Sequence, residues 1–298
     1  MIEDVFRFQS YYNRGFFGKD FGELCEYAES LKKNNDRAEK YIENIIRNES
    51  ISASKISDEW FPQVKVDVFI SHSSKDKGLA YALAGWLYKK FKIVSFIDSL
   101  FWKYAYDLLE EINNEYSDKM EKPGGGIVYS HEKCLKASQH VDILLDAALH
   151  KLIDKTEAVF FLNTENSIQV FNDLDKEICT TYSPWIFSEM LCTQLVRRKS
   201  LCDYRRYEPF LLFFEHAGVN ANIEKRDLNL SYDVSLSHLD ELSEDILNKW
   251  NNMDKSKFCG YPLDGLYSFF EDYSKELRDT ISFFARKYNA EPSGFLLG

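Results

Sequence analysis

The sequence lacks the features that mark several common classes of protein. The chain of 298 residues has six cysteines, none in CxxC spacing, and no cysteine–histidine pattern that resembles a zinc ligand set. Apolar runs such as 158–162 and 209–214 are far too short to span a bilayer. The first residues contain neither a basic segment nor an apolar core, so no secretory signal peptide is expected. We therefore expect a cytoplasmic protein with reduced thiols, no bound metal and no membrane partner.

Basic charge is also scarce. The 37 Lys and Arg residues are outnumbered by 48 Asp and Glu residues, which gives a formal net charge of −11. A protein that binds nucleic acid usually presents a basic face, whereas this chain has only short basic clusters such as 197–199. No nucleic-acid partner is expected, although a local basic patch has enough charge to hold a phosphate.

What the chain does contain is globular composition and enough length for one or two domains. Hydrophobic residues make up 45% and aromatic residues 15%, which favours large packed cores over disorder. The pattern divides the chain into three parts. Residues 1–60 are predicted as a helical N-terminal extension, and residues 246–298 as a helical C-terminal extension. Residues 64–245 are predicted as an α/β domain with a long insertion at about 105–155.

Four apolar runs predict the strands of a parallel sheet, because strands covered on both faces are apolar throughout. These runs are 64–70, 93–97, 158–162 and 209–214. A further edge strand is predicted at 232–236, and the acidic stretch 163–182 is predicted as a long loop. Helical spacing predicts further helices, and a break occurs at 123–126 inside the insertion. The predicted helices include 104–116, 131–152, 240–250 and 263–288.

Ligands of open parallel sheets bind outside the carboxyl ends of the strands. The polar segments that follow the first three predicted strands are therefore the places to search for a site. They are 71–76, 98–102 and 163–189.

These segments resemble a known family. Asp67–Asp76 (DVFISHSSKD) resembles the opening strand and loop of a bacterial Toll/interleukin-1 receptor (TIR) domain, and 96–98 (FID) followed by Trp102 resembles its second strand and loop. Residues 182–189 (YSPWIFSE) resemble the family's Ser-x-Trp-x-x-x-Glu segment. The resemblance covers about residues 64–216 and implies a flavodoxin-like sheet of strand order 2-1-3-4-5.

The resemblance also implies an activity, the cleavage of NAD+ at the nicotinamide–ribose bond, with Glu189 as the catalytic glutamate. NAD+ is then a substrate and not a cofactor, and the product is ADP-ribose, cyclic ADP-ribose or a conjugate. The implied setting is bacterial antiphage immune signalling. A homo-oligomer is implied, as is an effector or trigger protein as partner.

The chemistry needs little from the protein. Nicotinamide leaves as a neutral molecule, so no general acid is required, and one carboxylate beside the ribose stabilises the sugar cation. Trp185 lies four residues before Glu189 and so on the same face of a helix. The remaining candidates for substrate binding are Ser71 and Ser73 for phosphate, Phe101 or Trp102 for stacking, and His72, Asp98 and Ser183 beside them.

Two alternatives stay open. In a non-catalytic TIR scaffold for protein–protein assembly, Trp185 is a core residue and Glu189 a surface contact. In an enzyme like the nucleoside deoxyribosyltransferases, a glutamate also acts on an N-glycosidic bond, but the substrates are free nucleosides.

Overall fold

A computed structural model describes most of the chain. The described residues are 6–10, 14–30, 66–97, 102–122, 124–173, 176–196, 199–204, 230–254 and 261–288. The predicted strand 209–214 and the candidate site residues Asp98 and Phe101 lie outside them.

The described residues form ten strands. They are β1 (Phe6–Ser10), β2 (Val68–Ser71), β3 (Ser95–Ile97), β4 (Met120–Glu121), β5 (Ile127–Val128), β6 (Ala158–Leu162), β7 (Gln169–Asp173), β8 (Lys176–Thr181), β9 (Tyr232–Asp233) and β10 (Asp240–Glu241).

The helices of the described residues pack around these strands. They are α1 (Arg14–Phe17), α2 (Phe21–Ser30), α3 (Lys77–Phe91), α4 (Trp102–Tyr116), α5 (His131–Lys155), α6 (Pro184–Leu195), α7 (Leu201–Tyr204), α8 (Glu244–Asn252), α9 (Pro262–Tyr267) and α10 (Glu271–Tyr288). Short 3-10 turns at Gly18–Asp20 and Ser74–Asp76 precede α2 and α3.

The centre of the fold is a five-stranded parallel sheet in the spatial order β10-β1-β6-β2-β3. The predicted α/β class with a parallel sheet is confirmed, and the architecture is compatible with a flavodoxin-like fold. The part β3-β2-β6 matches the first three positions, 2-1-3, of the expected order 2-1-3-4-5. The next position should hold the fourth predicted strand, but β1 from the N-terminal segment lies there beside β6.

The prediction of a wholly helical N-terminal extension is therefore wrong for Phe6–Ser10. This segment alternates aromatic and polar residues (FRFQS) over only five positions, and it pairs in register with all of β6. A strand this short has no stability of its own, so its conformation depends on the partner strand. The helical expectation is met at α2, within the same extension.

Both faces of the sheet are covered, as the continuous apolar strands require. On one face Phe8, Ile70 and Phe160 pack against α2, α3 and the C-terminal helices α8, α9 and α10. On the other face Phe69 and Phe161 contribute to two clusters that also contain residues of α4, α5 and α6. The C-terminal helices thus complete the core of the sheet.

The long insertion also belongs to the core. Its two helices, α4 and α5, form close to the predicted positions and bury Leu108, Val141 and Leu145 against the sheet. The break between them is a β-hairpin of β4 and β5, and its three glycines, Gly124, Gly125 and Gly126, have φ angles of +105°, +92° and +104°. Only glycine adopts such angles readily, so the tip requires this triplet.

The prediction of a long loop at 163–182 is wrong. Strands β7 and β8 lie there as an antiparallel pair, and β9 adds to β8, so the predicted edge strand belongs to this small separate sheet.

The C-terminal prediction needs two adjustments. The helix predicted from 240 begins at Glu244, because the Ser243 side chain accepts from the N–H of Ile246, and the helix predicted over 263–288 is divided into α9 and α10.

Candidate functional site

The carboxylate predicted as catalytic lies at the carboxyl end of the central strand β2. Ser71, the last residue of β2, donates a hydrogen bond from its Oγ to Glu189 Oε2 at 2.5 Å. Ser71 is 0% exposed and Glu189 is 1% exposed. Both residues were candidates from the sequence, Ser71 for phosphate binding and Glu189 for catalysis, and the fold brings them together across 118 positions of the chain.

Local sequence fixes the start of the helix that carries Glu189. The N–H of Ile186 donates to Ser183 Oγ at 3.2 Å, and Pro184 occupies the first turn of α6, where its missing N–H is no loss. The N–H of Ser183 in turn donates to Thr181 Oγ1 at 3.2 Å. Ser183 therefore has a structural role as the cap of α6, while its predicted contact with substrate stays a prediction.

Trp185, one turn before Glu189, is half-buried and packs against the apolar cluster that contains Phe69 and Val159. The indole thus contributes to the contact between α6 and the sheet. Trp102, the other tryptophan predicted near the ligand, is the first residue of α4.

The segment after β2 is buried at its start. His72 is 2% exposed, and its Nδ1 lies 3.4 Å from the carbonyl oxygen of Ile70. Ser73 is 9% exposed and caps the 3-10 turn, because its Oγ accepts from the N–H of Lys75 at 3.4 Å. Both residues follow Ser71 in the chain, and these contacts are with the backbone of β2 and of the loop after it.

Asp76, directly before α3, joins two loops of the rim. Thr164 Oγ1 donates to Asp76 Oδ2 at 2.5 Å, and Asn166 Nδ2 donates to Asp76 Oδ1 at 2.8 Å. Asn163, directly after β6, donates from its Nδ2 to Oε1 of Gln9 in β1 at 3.2 Å. These bonds connect the carboxyl ends of β1, β2 and β6, so the rim that carries Glu189 is a cross-linked surface.

A second polar cluster, which the sequence did not predict, is formed by Asp146 and His150 of α5 with Ser188 of α6. Ser188 Oγ lies 2.5 Å from Asp146 Oδ1 and 2.8 Å from His150 Nε2, and the two α5 side chains are 3.5 Å apart. Desolvation raises the pKa of Asp142, one turn earlier on α5. The signals in the sequence were the spacing of four between Asp146 and His150 and the position of Ser188 directly before Glu189.

This cluster has the composition of a serine hydrolase triad but a different hydrogen-bond arrangement. In a triad the histidine accepts the proton of the serine while its other nitrogen faces the aspartate. Here the same nitrogen, Nε2 of His150, faces both Ser188 and Asp146. The cluster therefore joins two helices and does not activate the Ser188 hydroxyl as a nucleophile.

Within the part of the chain that the structure describes, no group of three or more His, Cys, Asp or Glu side chains is arranged to hold a metal ion. Among the described helices, none combines the length and the apolar character needed to cross a membrane.

The fold and the site together define an α/β protein with a buried carboxylate at the carboxyl rim of a parallel sheet. Comparisons of the chain with protein-family models, with curated proteins and with solved structures gave no match.

Proposed function

We propose that this protein is a TIR-class enzyme that cleaves NAD+ at the nicotinamide–ribose bond, with Glu189 as the catalytic carboxylate. The observation that carries the proposal is the contact between Glu189 Oε2 and Ser71 Oγ at the carboxyl end of β2. That contact joins the first and third of the three segments that resemble the TIR family.

The proposed reaction breaks the bond between C1′ of the ribose and the pyridinium nitrogen. The electron pair stays on the nitrogen, nicotinamide leaves as a neutral molecule, and a positive charge develops on the sugar. A negative carboxylate near C1′ stabilises that charge, and its effect is strongest where water is excluded. Attack on C1′ by water, or by a nucleophilic atom of the same molecule, gives ADP-ribose or a cyclic ADP-ribose, and in the hydrolysis the proton of the attacking water passes to solvent.

The Ser71 hydroxyl gives this carboxylate a fixed orientation. Its hydrogen bond at 2.5 Å holds Oε2 at the end of β2 and so resists rotation of the Glu189 side chain. At 1% exposure the carboxylate is closed to solvent in this conformation. The proposal therefore requires the rim to open before the ribose of NAD+ reaches Glu189.

The alternatives differ in what they require of Glu189. The scaffold alternative makes Glu189 a surface contact, and a carboxylate that is 1% exposed does not fit that role. The deoxyribosyltransferase-like alternative uses the same carboxylate on free nucleosides, so the identity of the substrate separates it from the proposal. The antiphage setting, self-association and a trigger or effector partner rest on the resemblance alone.

The decisive experiment measures nicotinamide release from NAD+ by the wild type and by Glu189→Gln. Glutamine keeps the shape and still accepts from Ser71 but lacks the charge, so we expect kcat to fall by about 100-fold or more. The matched control is Glu165→Gln, an exposed carboxylate on the loop after β6, for which we expect turnover within about twofold of the wild type.

Equal turnover of the wild type and Glu189→Gln would remove this residue from the mechanism. Release of free bases from deoxynucleosides, with no nicotinamide from NAD+, would favour the deoxyribosyltransferase-like alternative. Both assays are run over a range of protein concentrations, because a rim that opens on self-association gives a rate per chain that rises with concentration.

A further inference from the structure

The polar cluster of Asp146, Ser188 and His150 lies beside the candidate site, and the site chemistry described above does not use it. We call it the α5–α6 clamp. Ser188 immediately precedes Glu189, and its Oγ is within hydrogen-bond distance of both Asp146 Oδ1 and His150 Nε2. The Asp146 and His150 side chains are 40% and 37% exposed, so the clamp lies at the margin of the contact between the helices.

The positions of the protons in the clamp follow from the inventory of donors and acceptors. An ionised carboxylate only accepts, so the 2.5 Å contact with Asp146 takes the single proton of the Ser188 hydroxyl. The 2.8 Å contact with His150 must then be made by a proton on Nε2 of the imidazole. The geometry thus assigns His150 as a donor through Nε2.

The clamp and the site hold two different sides of α6. Successive residues of a helix are about 100° apart around the axis, so Ser188 faces α5 where Glu189 faces Ser71. Two contacts on adjacent residues in such different directions fix the rotation of a helix about its own axis. Other hydrogen bonds of the described residues hold α6 near its ends, among them the Ser183 cap, Thr193 with His238, and Gln194 with the carbonyl of Ser235. Apolar contacts hold the helix as well, such as the stacking of Phe187 on Tyr232 of β9 at 5.0 Å.

Rotation of α6 is the motion that would most affect the site. A side-chain tip lies about 5–6 Å from the helix axis, so a roll of about 10° moves the Glu189 carboxylate by about 1 Å. That shift would lengthen the 2.5 Å contact with Ser71 by up to about 1 Å and would change its angle, and both changes weaken a hydrogen bond. Misplacement of a catalytic group by about 1 Å can reduce a rate by about 100-fold.

We propose that the α5–α6 clamp is a positioning device for Glu189, in which Ser188, held by Asp146 and His150, sets the rotation of α6 so that the carboxylate meets Ser71. The catalytic consequence rests on the proposed function, whereas the structural coupling between the clamp and the Ser71–Glu189 bond does not. The two parts are therefore tested separately.

The first test reads the proton on His150 in the wild-type protein by 15N NMR of the imidazole. We expect the chemical shifts of a ring protonated on Nε2. A neutral ring protonated only on Nδ1 would overturn the assignment, because Nε2 would then be unable to donate to Ser188.

The second test is a double-mutant cycle on the unfolding equilibrium constant, with Ser71→Ala and Ser188→Ala. If the clamp positions Glu189, the fold-change that Ser71→Ala causes in the unfolding equilibrium constant should be at least about threefold smaller in the Ser188→Ala background than in the wild type. The matched control is Lys199→Met, which removes the ion pair with Asp154 between the chain after α6 and the end of α5. Ser71→Ala should have its full effect there, and an additive cycle with Ser188→Ala would overturn the proposal.

The third test measures nicotinamide release. Ser188→Ala should lower kcat by about 10- to 100-fold with KM within about twofold, and Ser188→Thr, which keeps the hydroxyl, should restore most of kcat. A change in KM alone, or no change in either constant, would overturn the positioning role in catalysis. If Glu189→Gln and the wild type release nicotinamide equally, the proposed function fails while the cycle still decides on the clamp.

Discussion

At the scale of single residues, Gly85 is a position where the fold leaves no room for a side chain. A Cβ atom built on Gly85 in α3 would lie 2.3 Å from the carbonyl oxygen of Leu24, because α2 rests directly on α3 at this point. We expect Gly85→Ala to lower the free energy of unfolding by about 1–3 kcal/mol, since the backbone of α2 must move. Urea denaturation of the two proteins measures the difference.

Gly78, at the start of the same helix, provides the matched control. A Cβ atom there would meet only the Phe21 Cζ atom, at 3.7 Å, which is an ordinary contact. Alanine also favours a helix over glycine by up to about 1 kcal/mol, so Gly78→Ala should leave stability unchanged or raise it. Equal losses in the two variants would contradict the close approach of α2 to α3.

At the scale of elements, β1 is the strand that joins the sheet to the C-terminal helices. Phe8 is 0% exposed, and its ring packs edge-on against Phe160 of β6 at 5.4 Å and stacks on Tyr267 of α9 at 6.4 Å. Removal of the Phe8 ring would leave a cavity in the core of the protein. We therefore expect Phe8→Ala to lower the free energy of unfolding by about 3–5 kcal/mol.

The control for Phe8 is Phe171 of β7, which is 50% exposed. Phe171→Ala should change stability by no more than about 0.5 kcal/mol, as surface substitutions usually do. Thermal or urea unfolding of both variants tests the pair. A loss at Phe8 as small as the loss at Phe171 would show that β1 is not an integral strand of the sheet.

At the scale of the whole molecule, the arrangement of the sheet predicts a gradient of stability. Strand β6 pairs with β1 on one side and β2 on the other, and each of its five residues is 0% exposed. The hairpin of β4 and β5 has two short strands, with Met120 61% exposed and Ile127 51% exposed. Hydrogen exchange should therefore be slowest for the amides of β2 and β6, which exchange only by large-scale unfolding, and fastest among the described strands in β4 and β5. Equal protection of the hairpin and the central strands would contradict this.

Much of the central architecture could be predicted because its signals are local or repeated. An uninterrupted apolar run such as 158–162 is typical of a strand covered on both faces, and α5 follows from helical spacing over many residues. The candidate residues Ser71 and Glu189 were also predicted, from segments that resemble one family. The bond between them was not, because a contact between residues so far apart in the chain depends on how α6 packs on the sheet.

The sequence by itself determined the central apolar strands β2 and β6 and long helices such as α5, because these features depend on neighbours within a few residues. Only the tertiary structure decided which strand occupies the open edge of β6, that 163–182 pairs as strands, and that Ser188 meets His150 and Asp146. Those contacts join distant parts of the chain. Short segments such as FRFQS carry too little local preference to specify their partners, so the packing of the whole molecule determines them.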